Sequence, residues 1–143
     1  MKRLFVFMCI AAVATAGCKK DSDLTPQESM VGTWRGEEAR VVIYEENGED
    51  VASETTISLD SPNFAEATFK SDSSFTMELR LVTPLPVTEE REGHYEVRGS
   101  NLTLKITGES DVQAPFTLNN NELKITLGTP GVSILTYTFV RIQ

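Results

Sequence analysis

Residues 75–81 read Phe75-Thr76-Met77-Glu78-Leu79-Arg80-Leu81. Apolar side chains fall on every second position, and only an extended strand puts all four on one face; a helix would scatter them around its axis. The same rhythm returns at Leu102, Leu104 and Ile106, at Leu123, Ile125 and Leu127, and at Tyr95 and Val97 between His94, Glu96 and Arg98. One apolar and one polar face per segment is the pattern of antiparallel strands with one side wet.

Outward from these segments, less regular runs at 39–45, 51–59, 64–70, 114–118 and 132–142 complete a set of short strands. Between them stand turn signals: Asn47-Gly48, Asp60-Ser61-Pro62-Asn63, Ser71-Asp72-Ser73, Gly99-Ser100-Asn101, Asn119-Asn120-Asn121 and Gly128-Thr129-Pro130-Gly131. Asn-Gly between strand-like runs is a strong hairpin signal, because both central residues need positive φ. The spacing leaves no room for crossover helices, so the expectation is an all-β antiparallel domain of about eight to ten strands, a sandwich or a closed up-and-down barrel. Closure removes the free edges that invite aggregation. The stretch 84–91, with Pro84, Pro86, Glu89 and Glu90, reads as a rim loop. Thr25-Pro26-Gln27-Glu28 has the form of a capping box with proline at the first helical position, predicting one or two helical turns that Gly32 ends before Trp34.

The front of the chain carries a different message. Met1-Lys2-Arg3 precedes an apolar run from Leu4 to Val13 and then the small residues Ala14 to Gly17, the order of an export signal. The run is shorter than the roughly 20 apolar residues that span a bilayer. Thr15-Ala16-Gly17-Cys18 resembles the lipobox of bacterial lipoproteins. That resemblance implies that residues 1–17 are removed, that Cys18 is acylated by chains of the palmitate class, and that the protein is anchored in the outer membrane of a Gram-negative cell, facing the periplasm or the surface. Ala14-Thr15-Ala16 also fits ordinary signal peptidase, so a secreted protein with one stray thiol stays open. Cys18 to Leu24 form a polar tether, and residues 25–143 a single domain. With Cys9 discarded and Cys18 lipidated, the mature domain has no disulfide and depends on its core.

Charge narrows the partners. Of 13 Lys and Arg, Lys2 and Arg3 lie in the signal, which holds no acid; the remaining 126 residues carry 11 basic and 21 acidic side chains, a net of −10. Phosphate binding needs clustered Lys and Arg, so nucleic acid is not an expected partner. His94 is the only histidine and alternates outward with Tyr95 and Val97; no zinc set or nucleophile–base pair is marked, and no enzyme, metal or cofactor is expected. Carboxylates at Glu45, Glu46, Glu49 and Asp50, and at Glu89, Glu90 and Glu92, lack calcium-loop spacing and read as solvated loop charge. Eight aromatics, Tyr44, Phe64, Phe69, Phe75, Tyr95, Phe116, Tyr137 and Phe139, either fill a core or line a cavity.

Gly32-Thr33-Trp34, entered from a short helix at the start of an all-β domain, resembles the Gly-x-Trp signature of lipocalins. Gly93-His94-Tyr95-Glu96-Val97 followed by Asn101-Leu102-Thr103-Leu104 is similar to a strand pair of bacterial lipocalin-like lipoproteins. The resemblance spans Met30 to Gln143. It implies that Trp34 closes one barrel end with Arg141 of the last strand packed across its ring. It further implies a lipid-anchored envelope protein binding a small apolar ligand in the lumen, with Phe75, Met77, Tyr95 and Tyr137 as wall residues. The alternative is a filled barrel whose surface engages an envelope protein or glycan.

Overall fold

The computed structural model describes residues 24–83 and 86–143. The signal segment, Cys18 and the tether up to residue 23 lie outside the described residues, as do Pro84 and Leu85.

Helix α1 (Pro26–Met30) starts as its sequence dictates. The Thr25 hydroxyl accepts from the Glu28 N–H while the Glu28 carboxylate accepts from the Thr25 N–H at 2.8 Å, the reciprocal capping box. Nine strands follow among the described residues: β1 (Gly32–Tyr44), β2 (Val51–Ser58), β3 (Phe64–Phe69), β4 (Ser74–Leu81), β5 (Val87–Arg98), β6 (Asn101–Ile106), β7 (Val112–Asn119), β8 (Glu122–Thr129) and β9 (Ser133–Arg141). All pairings are antiparallel, and β1 pairs with β9. Eight strands therefore close an up-and-down barrel, and β2 is the extra one.

One irregularity shapes the barrel. Beside β9, Gly36 faces Phe139 and Glu38 faces Thr138, so Glu37 is a bulge that bends β1. Below the bend β1 pairs with β3, through Gly32 to Arg35; above it β1 pairs with β2, through Glu38 to Tyr44. Gly36 permits the bend, because a Cβ there would lie 2.7 Å from Leu59 and 2.8 Å from Ala65. The upper wall of β8, β9, β1 and β2 thus stands as a wing, and β2, exposed except at Ile57, has no neighbouring strand on its far edge among the described residues.

Polar spacing hides one strand. Residues 87–91, expected in a rim loop, belong to β5, whose register runs from Leu81 opposite Val87 to Ser74 opposite His94. The charged Glu89 and Arg91 take the inward positions, so no hydrophobic alternation marks the segment. Beyond Gly93–Ile106, β6 no longer pairs with β5, which leaves the upper β4–β5 hairpin separated from the β6–β7 turn.

The core fills the closed end. Trp34, Met30 and Leu102 are fully buried, and Phe69, Phe75 and Phe139 nearly so. Such aromatic side chains dominate core energetics, each burying roughly 150–250 Å².

Candidate functional site

Two polar devices seal the closed end. Trp34 and Arg141 are opposite one another on β1 and β9, with the guanidinium 4.2 Å from the indole ring centroid. The same guanidinium donates to the carbonyls of Val31, at 2.7 Å, and of Ser29, while the Trp34 Nε1–H donates to Met30 O at 2.9 Å. Carbonyls at a helix C-terminus lack partners within the helix, and here three successive ones are taken up by the barrel. Gln27 adds a bond to Ser73 in the β3–β4 turn.

Tyr95 belongs to this end and not to a cavity wall, contrary to the sequence expectation. It is 3% exposed, its ring meets Phe69 edge-on at 5.0 Å, and its hydroxyl donates to Lys70 O at 3.0 Å. Its pKa is raised by burial, with the Asp72 charge adding to the effect.

Above the aromatic floor the barrel is not filled. A cavity of about 260 Å³ is lined by residues of every strand from β3 to β9, close to the lower end of the roughly 300–1,000 Å³ typical of ligand pockets. Phe75, Phe139 and Ile125 form its base; half-buried Met77, Leu79, Leu127 and Leu135 form its walls. Three of the four residues expected at a lumen site, Phe75, Met77 and Tyr137, therefore do line one cavity.

The polar part of the wall is what sequence reading missed. Arg91 projects inward from β5 with Glu89 at 3.3 Å, and Glu109 of the β6–β7 turn reaches it at 3.7 Å across the gap beside β5. Tyr137 stands on β9 with its ring 5.9 Å from that of Phe139, and its hydroxyl has no hydrogen-bond partner among the described residues. Burial raises the Tyr137 pKa; the Glu89 charge raises it further and Arg91 opposes. The arrangement offers an apolar chamber with one acid, one guanidinium and one neutral phenol, suited to binding and orienting a small amphiphile.

A larger depression of about 1000 Å³ beside Leu24, Val31 and Asn119 to Asn121 is a shallow surface groove outside the closed end. His94 lies exposed on the outer face. Among the described residues no group of three or more His, Cys, Asp or Glu is disposed to hold a metal ion, and no helix is long and apolar enough to cross a membrane.

Comparison with known proteins agrees with this architecture. A lipocalin-like protein from Bacteroides uniformis superposes with a TM-score of 0.51 at 13% identity, covering 80% of this chain and 99% of the other. An uncharacterized protein from Bacteroides eggerthii does so with a TM-score of 0.50 at 11% identity, over 79% and 99%. At such identities the likeness is one of fold. Among curated proteins none matches. The lipocalin-like domain family, however, matches residues 30–125, two thirds of the chain, from the last residues of α1 to β8. With its closed eight-stranded ring and one extra strand, this chain belongs to the lipocalin-like domain family.

Proposed function

We propose that the protein is a lipid-anchored carrier or sensor of the cell envelope that binds a small ligand, apolar over most of its length and polar at one end, in the upper lumen. The observation that carries this reading is the cavity itself, with apolar side chains from β4, β6, β7, β8 and β9 around it and Tyr137, whose hydroxyl has no protein partner among the described residues, in its lining. A phenol on that wall offers a ligand one donor and one acceptor. Mass spectrometry of small molecules extracted from purified, delipidated protein tests it. One amphiphile at near-stoichiometric yield is expected; an empty lumen at high sensitivity counts against the reading.

The lipobox resemblance at Cys18 supports a lipid anchor, and with it a seat in the outer membrane facing the periplasm or the cell surface. Radiolabelled palmitate should label the wild type and not Cys18→Ser; an unlabelled wild type removes the anchor.

A second reading, engagement of an envelope protein or glycan, has its own support in the wing. Ile43, Val51 and Val132 are 46%, 51% and 61% exposed, and their backbones lie at the wing tip, where Tyr44 pairs with Val51 and the Tyr44 N–H donates to Val132 O at 2.9 Å. Exposed apolar side chains beside a strand edge suit a partner.

A further inference from the structure

We infer that the polar end of the lumen ligand is a cation, so that the site takes a small amphiphilic amine in preference to a carboxylate. This rests on the upper lumen being the ligand site.

The charged residues lining the cavity from its inner face are Glu89 and Arg91, and Glu109 reaches Arg91 from the β6–β7 turn, so that two acids stand around one base. Arg91 is the group a carboxylate would seek, yet it already holds Glu89 at 3.3 Å and Glu109 at 3.7 Å. An incoming carboxylate would lie beside both of them, a third negative charge around one guanidinium. An ammonium meets the opposite situation, since Glu89 and Glu109 share a single cation and retain unused acceptor lone pairs.

The surroundings add to the negative field. On the outer face of the same wall Glu66 stands opposite Glu78, and Glu78 opposite Glu90, in successive register pairs. Like charges directly opposite are unfavourable in a sheet. The nearby arginines do not cancel them at the lumen: Arg35 lies 3.9 Å from Glu66, and Arg80 packs over the Phe64 ring. Across the chamber the Tyr137 hydroxyl feels both charges, Glu89 and Arg91 acting on it in opposite directions. That hydroxyl stays neutral and can accept from an N–H donor. The apolar body of the amine would lie along Met77, Leu79, Leu127 and Leu135.

Calorimetric titration of the full chain carrying Cys18→Ser, so that no acyl chain competes for the lumen, with hexylammonium, 1-hexanol and hexanoate tests this. At low salt hexylammonium should bind at least about tenfold more tightly than hexanoate, the ratio shrinking as salt screens the partly exposed charges. Glu89→Gln should bring the ratio to within about twofold, and Arg91→Gln should widen it, since each changes the local charge by one unit. Hexanoate binding as tightly as hexylammonium, or more so, in the wild type overturns the inference and leaves the lumen site standing. If 1-hexanol and both ions fail to bind, the lumen reading itself fails, and this inference with it.

Discussion

At the closed end of the barrel Trp34, Phe69 and Phe139 are at most 1% exposed, and the indole N–H, the Arg141 guanidinium and the Tyr95 hydroxyl all have backbone partners. At the open end Met77, Leu79, Leu127 and Leu135 are only half-buried, and the Tyr137 hydroxyl has no hydrogen-bond partner among the described residues. In β4 and β8 the apolar alternation runs unbroken from one end to the other, so the pattern of those strands does not distinguish the ends. What differs is completion: the lower strands form a full ring capped by α1, whereas above the Glu37 bulge β1 exchanges β3 for β2, and β6 stops short of the upper half of β5. Stability is concentrated where the ring is complete, and room for a ligand lies where it is not.

The largest effect expected from this contrast is at Trp34. Trp34→Ala removes a fully buried indole, leaves Met30 O unpaired and strips Arg141 of its aromatic platform. Truncation of a buried aromatic costs about 3–5 kcal/mol. Urea denaturation should show a loss of that size; a loss below about 1 kcal/mol would mean that the closed end does not hold the barrel together.

Arg141→Leu should come next, at about 2 kcal/mol, because bonds from a charged donor to carbonyls contribute roughly 1.5–3 kcal/mol and leucine keeps part of the packing over the indole. The check is a lower urea midpoint with an unchanged slope, together with non-additivity in the Trp34→Ala background, as residues in contact should show.

Much of this contrast could be read from the sequence, and the part that could not has a physical cause. β4, β6 and β8 were legible because Phe75 to Leu81, Leu102 to Ile106 and Leu123 to Leu127 alternate apolar with polar. The upper half of β5 was not, because its inward residues Glu89 and Arg91 are as polar as the outward Thr88, Glu90 and Glu92. A signal was nevertheless present: a strand of the length of β4 needs an antiparallel partner of equal length, and counting back from Tyr95 along that partner reaches Val87. Period-two reasoning gives the side of a strand and not the position along the barrel axis, so the inward face of Tyr95 is legible in the sequence and its place at the closed end is not.

A smaller effect, confined to alkaline solution, separates the two tyrosines. Burial raises the Tyr137 pKa in the folded state above its ordinary value of 10.0, so the folded chain favours the protonated phenol more than the unfolded chain does. That contribution is complete below pH 10 and lost as pH rises through the folded-state value. Stability should therefore fall above pH 10, and Tyr137→Phe should remove part of the fall, with Tyr95, also raised by burial, supplying the remainder. Urea midpoints at about pH 8, 10 and 11 read the difference; identical pH profiles for wild type and Tyr137→Phe would show that the phenol is no more buried folded than unfolded.

The smallest change in stability is expected where function is most exposed to damage. Leu135→Phe enlarges a half-buried side chain that already faces empty space, so the added ring atoms enter the cavity without displacing neighbours. The same kind of enlargement at Ala67 or Ala114, both fully buried, would overpack a closed core and force side chains off their rotamers. Leu135→Phe should alter stability by less than about 0.5 kcal/mol while abolishing 1-hexanol binding, because the new ring takes up the space the ligand needs. A stability loss comparable to that of Ala67→Leu would mean that the upper lumen is packed as tightly as the lower, and the two ends would then no longer differ in the respect that makes one of them a site.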